Sequence, residues 1–393
     1  MFRKNNFGQR QRLGGAGKRY YRSVRKIAVF KDVSKFINKA VSNETVEYQP
    51  INSFQSFALG QKLELNIISS GYKTPSPIQD QAIPHILVGR DLVGIANTGT
   101  GKTAAFVIPL LNKIIANRNE KVIIVAPTRE LAIQINQELV KFAFGLQIFS
   151  VCVVGGMPIF RQINDLKRSH NFVIGTPGRI KDLIERGCVK MADFQTIVLD
   201  EADRMLDMGF VDDMRFLISA MPKDRQILFF SATISGEINK IIKDYLNDPV
   251  SISVKTRDTA SAVDQDVVRV KDVNKIDVLH NLLTQPEFSK VLVFGRTKHG
   301  VERLSGDLTK RGIKAESIHG NKNHGQRQRA LRSFKDNSIR VLVATDVAAR
   351  GLDIPNVSHV INYDLPGSYE DYIHRIGRTG RAGKTGKALT FID

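Results

Sequence analysis

A glycine-rich turn between an apolar run and a helical pattern restricts the fold of this chain more than any other feature of its sequence. The turn reads Ala96-Asn97-Thr98-Gly99-Thr100-Gly101-Lys102-Thr103. Apolar residues over 92–95 predict a buried strand before it, and the apolar spacing over 104–115 predicts a helix after it. Glycines let the backbone curl so that several N–H groups point inward beside the positive end of the helix dipole, where phosphate groups bind. The sequence therefore predicts nucleotide binding by an α/β fold.

Individual residues of this turn have the chemistry that a nucleoside triphosphate requires. The Lys102 ammonium would reach the β- and γ-phosphates, and the Thr103 hydroxyl would ligate Mg²⁺. The turn departs from the general pattern at its first position, where Ala96 replaces glycine. A chance glycine-rich turn is the alternative, but the flanking strand and helix patterns are both present. The other residues expected to bind the nucleotide here are Thr98, Gly99, Thr100 and Gly101.

The distribution of charge indicates an acidic polymer as a partner. The chain has 393 residues, which suggests two or three domains, and a net charge of +19. Residues 1–50 contain 12 basic and 3 acidic residues, and residues 263–393 contain 22 basic and 15 acidic residues. Residues 51–262 are almost balanced, with 24 basic and 21 acidic residues. The excess positive charge therefore lies in an N-terminal arm and in the last third of the chain.

Cysteine content and hydropathy narrow the class of protein further. Cys152 and Cys188 are the only cysteines, and neither has a second thiol or a histidine at metal-binding spacing. We expect both to be core residues in a reducing compartment. No apolar run approaches the roughly 20 residues of a membrane span, and the N-terminus lacks the apolar core of a signal peptide. These features predict a soluble, cytoplasmic protein that does not enter membranes, and we expect it to be a monomer.

Residues 1–50 are predicted to form a basic arm. Residues 1–22 mix Arg, Lys, Gly, Gln and Asn with four aromatic residues and cannot bury enough surface to fold alone. They fit a solvated tail, an arm that binds single-stranded nucleic acid, or, being Arg-rich and almost free of acid, an organellar transit peptide. Over residues 27–41, apolar residues recur at helical spacing and predict a short amphipathic helix that docks on the core.

Two series of alternating strand and helix patterns follow the arm. This alternation predicts parallel sheets covered by helices on both faces. It breaks over the polar residues 247–266, which predict a flexible linker. We assign residues 51–250 to a first domain, 251–264 to the linker and 265–393 to a second domain whose last apparent strand is cut short. The predicted strands are 92–96, 122–126, 148–154, 172–174, 197–199 and 227–230, then 267–270, 291–294, 317–318, 341–344, 360–361 and 388–392.

An acidic tetrapeptide follows the predicted strand that ends at residue 199. It reads Asp200-Glu201-Ala202-Asp203. Because a phosphate-binding turn needs a carboxylate at the end of a neighbouring strand, Asp200 is predicted to hold Mg²⁺ through water. Glu201 is predicted to accept a proton from the water that attacks the γ-phosphate. Taken alone, the tetrapeptide would equally fit the acidic first turn of a helix.

The D-E-A-D tetrapeptide and the turn A-N-T-G-T-G-K-T together resemble the DEAD-box RNA helicase family. Further motifs from Phe54 to the C-terminus follow the order and spacing of that family. The resemblance implies two RecA-like domains in tandem, ATP and Mg²⁺ as ligands, and RNA as a partner that is bound with little sequence preference. It implies that RNA closes the two domains around ATP, that closure stimulates hydrolysis, and that bending one RNA strand releases the other locally.

The resemblance also assigns residues to the nucleotide and to the coupling between the domains. Residues 71–79, G-Y-K-T-P-S-P-I-Q, are similar to the family's Q motif, so Gln79 would recognise the adenine edge and Phe54 would stack on the base. Without the resemblance, residues 75–79 predict only the start of a helix. Asp353 would approach the ribose of ATP. The residues implied in coupling are Asp203, Ser231, Thr233, His374 and Arg381.

Other motifs are assigned by the resemblance to the γ-phosphate and to RNA. In H-R-I-G-R-T-G-R, residues 374–381, Arg375 and Arg378 would contact the γ-phosphate, with Arg378 as the principal arginine finger. Gln326 would accompany Arg329 in one RNA-binding motif. The residues implied to contact the RNA backbone are Thr128, Arg129, Gly156, Thr176, Arg179, Arg296, Arg329 and Thr345.

Other functions fit parts of this pattern. An ATP-gated RNA clamp that anchors other proteins would have the same catalytic residues and would separate few duplexes. A catalytically inactive binding module is disfavoured by the presence of Lys102, Glu201 and Arg378. DNA in place of RNA is a weaker alternative. The motifs address the nucleic-acid backbone, which does not read bases, so they indicate no particular RNA.

Overall fold

Two parallel β-sheets, each with apolar cores on both faces, organise the part of the chain that the computed structural model describes. The prediction of two tandem α/β domains is thereby confirmed. We call residues 48–254 lobe 1, and residues 263–392 together with the segment 36–39 lobe 2. The described residues are 36–39, 48–97, 99–254, 263–271, 273–349, 354–380 and 385–392.

The sheet of lobe 1 has seven parallel strands in the described residues. They are β1 (Leu92–Ala96), β2 (Val122–Val125), β3 (Ser150–Val153), β4 (Phe172–Gly175), β5 (Thr196–Leu199), β6 (Gln226–Ser231) and β7 (Val250–Val254). Their order across the sheet is β3-β4-β2-β5-β6-β1-β7. Strands β2, β5 and β6 are buried along their whole length, as expected for a parallel sheet that is covered on both faces.

Helices connect these strands and cover both faces of the sheet. Phe229 and Phe230 are neighbours in β6 and point to opposite faces, and each belongs to a different apolar core. Phe230 packs against Phe106 with ring centroids 5.3 Å apart. The helices are α1 (Gln61–Ser69), α2 (Pro77–Leu87), α3 (Lys102–Ala116), α4 (Arg129–Phe142), α5 (Ile159–Leu166), α6 (Pro177–Glu185), α7 (Ala202–Asp207), α8 (Val211–Ser219) and α9 (Gly236–Tyr245).

Lobe 2 repeats this architecture, and its described residues form a parallel sheet of six strands. Its strands are β8 (Val263–Arg269), β9 (Val291–Phe294), β10 (Ala315–Ile318), β11 (Val341–Ala344), β12 (His359–Asn362) and β13 (Gly386–Ile392). Their order is β10-β11-β9-β12-β13-β8. Its helices are α10 (Lys275–Thr284), α11 (Lys298–Lys310), α12 (His324–Lys335), α13 (Asp346–Ala349) and α14 (Tyr369–Ile376).

The predicted linker is wrong at both of its ends. Its residues 251–254 belong to strand β7, which pairs with β1, and its residues 263–264 belong to β8. Within β7 only Ile252 is buried, because this strand is at the edge of the sheet. A strand with a solvated face has the low average hydropathy of a linker, which explains the error. Residues 255–262 lie outside the described residues.

A short part of the predicted arm packs on lobe 2. The Phe36 side chain is 1% exposed and meets the ring of Tyr372 edge-on at 4.8 Å. Asn38 forms an antiparallel bridge with Gln265 of β8, through N–H···O bonds of 3.1 and 2.7 Å. The bridge contradicts the helix predicted over residues 27–41 at Asn38, whereas docking on the core is observed at Phe36. The rest of residues 1–47 lies outside the described residues.

Both cysteines are half-buried and pack against the margins of the two cores of lobe 1, so they are less buried than the core positions predicted for them. Burial raises the pKa of the Cys152 thiol to about 12, so this thiol stays protonated and unreactive. Among the helices that the structure describes, none combines the length and the apolar character needed to cross a membrane.

Candidate active site between the two lobes

The predicted phosphate-binding turn connects β1 to α3. Gly99 and Gly101 have φ angles of 85° and 91°, in the left-handed region that favours glycine. A Cβ atom on Gly101 would lie 2.4 Å from the Gln79 amide nitrogen, so this position also needs glycine for space. Lys102 begins α3, and its ammonium donates to the Ala96 carbonyl at 2.8 Å. The turn is therefore held both by its own lysine and by the helix α2 that carries Gln79.

A cavity of about 500 Å³ lies beside this turn and is lined by both lobes. Lobe 1 contributes residues of the turn and the first two residues of the acidic tetrapeptide, and lobe 2 contributes Lys335 and Arg378. The predicted site residues in its lining are Gly99, Gly101, Lys102, Thr103, Asp200, Glu201 and Arg378. The cavity thus gathers the cationic, hydroxyl and carboxylate groups that phosphoryl transfer uses. The predicted residues Thr98, Asp353 and Arg381 lie outside the described residues.

Asp200 forms the acidic wall of this cavity at the end of β5. It is 2% exposed, and its carboxylate accepts the Glu201 N–H at 2.9 Å. Burial raises the pKa of Asp200 to about 7, against the opposing effect of Lys102. A divalent cation would stabilise the ionised form of such a carboxylate, so Asp200 fits a Mg²⁺ site with the Thr103 hydroxyl and phosphate oxygens. Among the described residues, no group of three or more His, Cys, Asp or Glu side chains could hold a metal ion.

Glu201 is fixed by an ion pair that the sequence did not predict. Its backbone has φ 51° and ψ 51°, a left-handed conformation that is strained for a residue other than glycine. Its carboxylate pairs with the Arg204 guanidinium at 3.0 Å, and both side chains are almost fully buried. Another nitrogen of Arg204 lies 3.4 Å from Nδ1 of His374 in lobe 2. The only signal in the sequence was the i,i+3 spacing of opposite charges, which by itself is weak.

Asp203 connects the acidic tetrapeptide to the end of β6. Its carboxylate accepts the N–H and the hydroxyl of Thr233 at 3.0 and 3.2 Å, and its own N–H donates to the Ser231 hydroxyl at 3.3 Å. These contacts lie within lobe 1, whereas the predicted bridge led from Asp203 and the hydroxyls to lobe 2. The contact from this region to His374 is made by Arg204.

Arg375 lies inside lobe 2 rather than at the cavity. Its Nε and Nη2 donate to the Asp346 carboxylate at 2.5 and 2.8 Å. Its Nη1 donates to the Asn362 side chain at 3.2 Å and to the Asp364 carbonyl at 2.6 Å, and the guanidinium covers the ring of Phe294. In this structure lobe 2 holds all three nitrogens of Arg375, so its contact with the γ-phosphate, which stays a prediction, would require it to leave these partners.

Arg378 has the position that an arginine finger needs. It is 4% exposed, lines the cavity, and donates from Nε to the His374 carbonyl at 3.4 Å. Helix α14 ends two residues earlier, at Ile376, so Arg378 extends from the end of a fixed helix. Lys335, at the end of α12, lines the same cavity and was not predicted.

The residues predicted to recognise adenine have other contacts in this arrangement. Gln79 accepts the Ser76 N–H at 2.9 Å and donates to the Gly101 carbonyl at 3.1 Å. Ser76 and Gln79 form a capping box, so residues 75–79 make the helix start that their local pattern predicts. Phe54 is 1% exposed and packs edge-on against Tyr72, whose side chain lines the cavity. Tyr72 rather than Phe54 therefore offers an aromatic surface to the cavity.

Asp80, next to Gln79, anchors the segment that leads to Phe54. Its carboxylate accepts the Tyr48 hydroxyl at 2.6 Å and the N–H groups of Ile51 and Asn52, each at 2.9 Å. Burial tends to raise the pKa of Asp80, but these hydrogen bonds lower it below its ordinary value. The start of lobe 1 is thus tied to the same helix that supports the phosphate-binding turn.

The predicted RNA contacts of lobe 1 converge beyond the carboxyl ends of β2, β3 and β4. A Cβ atom on Gly156 would lie 2.0 Å from the Arg129 guanidinium. Arg179 donates to the carbonyl of Met157, the residue after Gly156, at 3.3 Å. Thr128 and Thr176 stand at the N-termini of α4 and α6. Two arginines beside two helix N-termini make a surface suited to phosphate groups.

In lobe 2, the structure distinguishes between neighbouring arginines of α12. Arg327 forms an ion pair with Glu130 of lobe 1 at 2.9 Å, with 11% and 3% of their side chains exposed. Arg329 is exposed and lies about 200° further around the helix, so it points away from that contact. Gln326 forms a capping box with Asn323 at the start of the helix.

The remaining predicted RNA residues of lobe 2 are Arg296 and Thr345. They follow β9 and β11, which are neighbours in the sheet, so both lie at the carboxyl edge of lobe 2. Their contact with RNA, like that of Arg329, stays a prediction. The interlobe role of Arg327 was missed because two arginines in one Arg-rich helix can be told apart only once the rotation of the helix is known.

Two family models match the two lobes. Residues 76–241 match the DEAD/DEAH box helicase model, and residues 274–383 match the helicase conserved C-terminal domain model. These segments cover more than half of the chain and contain the phosphate-binding turn, the acidic tetrapeptide and Arg378. The chain belongs to the DEAD-box helicase family.

Curated members of this family are similar over most of the chain. The ATP-dependent RNA helicase CshA of Listeria monocytogenes is 47% identical over 344 residues, which are 87% of this chain and 66% of the relative. The protein of the same name from Limosilactobacillus reuteri is 46% identical over 86% of this chain and 69% of the relative. The chain therefore spans about two thirds of the length of these curated relatives.

Solved structures of the family share the two-lobed architecture. S. cerevisiae Dbp5 bound to RNA and ADP BeF3 is 32% identical, with a TM-score of 0.76 over 86% of this chain and 89% of that chain. Mss116p bound to ssRNA and AMP-PNP is 31% identical, with a TM-score of 0.78 over 90% of this chain and 76% of that chain. These similarities confirm the tandem RecA-like domains.

Exchanging the charges of the interlobe ion pair tests whether it holds the lobes of this DEAD-box protein together. We expect Arg327→Glu and Glu130→Arg each to weaken RNA binding with AMP-PNP by roughly 30-fold, because an unpaired buried charge costs about 2–5 kcal/mol. The double variant should regain most of the affinity, as measured by fluorescence anisotropy of a labelled strand. Glu237→Arg, in an exposed pair with Lys240, is the control, and an equal loss there would contradict the prediction.

Alanine variants of Arg375 and Arg378 should lose different properties, stability in the first case and ATP turnover in the second. Arg378→Ala should keep the fold and lower RNA-stimulated ATP turnover by roughly 10³–10⁵-fold, the range of an arginine finger. Arg375→Ala should lower stability by about 3–5 kcal/mol, because the Asp346 carboxylate loses its partner. Thermal unfolding and steady-state turnover separate the two outcomes. An Arg375→Ala protein with unchanged unfolding and a finger-like loss of turnover would restore the original assignment.

Proposed function

We propose that this chain is an RNA-dependent ATPase that opens short RNA duplexes, with ATP as substrate and Mg²⁺ as cofactor. The observation that carries the proposal is a single cavity lined by Lys102, Thr103 and Glu201 of lobe 1 and by Arg378 of lobe 2. Because the catalytic groups are divided between the lobes, hydrolysis would depend on how the lobes are docked. Relatives that are named ATP-dependent RNA helicase support RNA as the partner.

The triphosphate would bind along the turn between β1 and α3. The N–H groups of the turn and the N-terminus of α3 favour phosphate oxygens. The Lys102 ammonium, which donates to the Ala96 carbonyl in this structure, would turn to the β- and γ-phosphates. Gln79 would keep the turn in shape through the Gly101 carbonyl. Its contact with adenine, and that of Phe54, would require both side chains to leave their present partners.

Hydrolysis would use groups from both lobes. Thr103 and Asp200 would hold Mg²⁺, which neutralises charge on the phosphate oxygens when it is bound. Glu201 would take a proton from the attacking water, with its carboxylate oriented by Arg204. Arg378 would stabilise the charge that develops on the γ-phosphate.

RNA would bind across the carboxyl edges of both lobes. Arg129 and Arg179 in lobe 1, with Arg296 in lobe 2, provide cations for its phosphates. A strand that contacts both lobes favours their docked arrangement, so RNA would stimulate hydrolysis, and bending of that strand would release its partner over a short length. We propose that the chain acts as a monomer, since residues of one chain supply both walls of the cavity. A cytoplasmic location is proposed from its two free cysteines, which suit a reducing compartment.

The variant Glu201→Gln tests the proposed base. An amide keeps the shape of the side chain but cannot take a proton, so ATP turnover should fall by roughly 10²–10⁴-fold while RNA binding with AMP-PNP persists. Glu287→Gln, at an exposed position in lobe 2, is the matched control and should keep full turnover. Unchanged turnover in Glu201→Gln would remove Glu201 from the mechanism.

The same samples separate a helicase from an ATP-gated clamp. Release of a short RNA duplex is measured against ATP consumed, with AMP-PNP as the nucleotide that is not hydrolysed. Repeated release that requires hydrolysable ATP supports the helicase. Tight RNA binding without release would support the clamp.

A further inference from the structure

Arg204 lies between the two groups that the proposed mechanism draws from opposite lobes. It is 2% exposed, and a guanidinium so deeply buried needs partners that replace water. Its Nη1 donates to the Glu201 carboxylate at 3.0 Å, and its Nη2 lies 3.4 Å from Nδ1 of His374. One guanidinium therefore contacts the proposed base in lobe 1 and a histidine in lobe 2.

The contacts continue from His374 to the candidate arginine finger. The His374 carbonyl accepts the Nε–H of Arg378 at 3.4 Å, and Arg378 lines the cavity together with Glu201. Glu201, Arg204, His374 and Arg378 thus form a connected series across the lobe interface. We call these four residues the interlobe series. Its two ends are the groups that must act on the same phosphate at the same time.

The backbone of Arg204 is held by residues of lobe 1. Its N–H donates to Asp203 at 3.0 Å, and Asp203 is bound to Thr233 at the end of β6. The guanidinium is therefore the part of Arg204 whose surroundings change when lobe 2 docks. Glu201 precedes α7 and is joined to that guanidinium by its ion pair, so its carboxylate follows the position of the guanidinium.

We propose that Arg204 is a positioning residue that couples the orientation of Glu201 to the docking of α14. With lobe 2 docked, Nδ1 of His374 lies against one edge of the guanidinium, and the other edge fixes the Glu201 carboxylate. With the lobes apart, the edge of the Arg204 guanidinium that faced His374 is exposed to water. The guanidinium can then rotate, and it no longer fixes the orientation of the Glu201 carboxylate. The inference rests on the proposed function, because it takes Glu201 as the base. According to this inference, closure of the lobes orients Glu201 and brings Arg378 to the cavity through the same series of contacts.

A double-mutant cycle between Arg204 and His374 tests this coupling in the full chain. The kcat and KM for ATP are measured with and without a saturating RNA strand for Arg204→Gln, His374→Ala and the double variant. Arg204→Gln should lower the RNA-stimulated kcat by about tenfold or more, with little change in KM and a much smaller effect without RNA. The double variant should be no slower than Arg204→Gln, since both changes interrupt the same series.

Two further variants control for charge and for folding. Arg204→Lys keeps the charge but lacks the planar fork that reaches both partners, so its kcat should lie between those of the wild type and Arg204→Gln. Arg215→Gln changes a partly exposed arginine with surface partners and should keep the wild-type kcat. Thermal unfolding is recorded for every variant. Where Arg204→Gln does not fold, Arg204→Lys and His374→Ala form the cycle.

Losses that multiply in the double variant would overturn the proposal, as would equal losses with and without RNA. A purely structural role of Arg204 predicts those results. The variant Glu201→Gln distinguishes a failure of the coupling through Arg204 from a failure of Glu201 as the base. Lost turnover in Glu201→Gln beside normal turnover in Arg204→Gln would refute the coupling and leave the proposed function intact. Retained turnover in Glu201→Gln would refute both the coupling and the assignment of Glu201 as the base, and would leave the ATPase activity itself in place.

Discussion

Buried carboxylates of lobe 1 that need cations define the interface between the lobes. Glu201 and Glu130 are 4% and 3% exposed. Glu201 has Arg204 of its own lobe as a partner, whereas Glu130 pairs with Arg327 of lobe 2. Removing a partner from a buried charge costs several kcal/mol, unless water reaches the charge instead. Charge pairing therefore favours the docked arrangement while leaving opening possible, since water can solvate each group when the lobes separate.

The parallel topology brings the charged groups to one place. All strands of a parallel sheet end at the same edge, and ligands of open α/β sheets bind there. In lobe 1, β5, β6 and β1 are neighbours, and they lead to the acidic tetrapeptide, to the Ser231–Thr233 turn and to the phosphate-binding turn. In lobe 2, Arg375 joins α14 to α13 through Asp346 and so fixes the helix from which Arg378 extends. The strands and helices that carry each half of the site are thus held by contacts within their own lobe.

The sequence was sufficient for the fold, the phosphate-binding turn and the two carboxylates, because each depends on local pattern and residue type. The sequence was insufficient where a contact with a residue far away in the chain determines the position of a side chain. Arg375 and Arg378 belong to one motif, and contacts with residues elsewhere in lobe 2, among them Asp346, 29 residues earlier, determine that Arg375 is internal. Arg327 and Arg329 differ only in helix rotation relative to Glu130. The edge strand β7 has a polar outer face, so it has no signal that separates it from a linker.

The charges in the cavity explain why nucleotide should favour docking. The charged residues in its lining are Lys102, Glu138, Lys141, Asp200, Glu201, Lys335 and Arg378. Burial raises the pKa of Asp200 to about 7, so part of the negative charge is lost. Docking brings Lys335 and Arg378 of lobe 2 towards Lys102 and so gathers positive charge, which opposes closure. A bound triphosphate attracts the cations of both lobes, so the repulsion between the lobes becomes a net attraction. RNA has the same effect at the basic carboxyl edges of the two sheets. Because both anions favour one arrangement, each should strengthen the binding of the other.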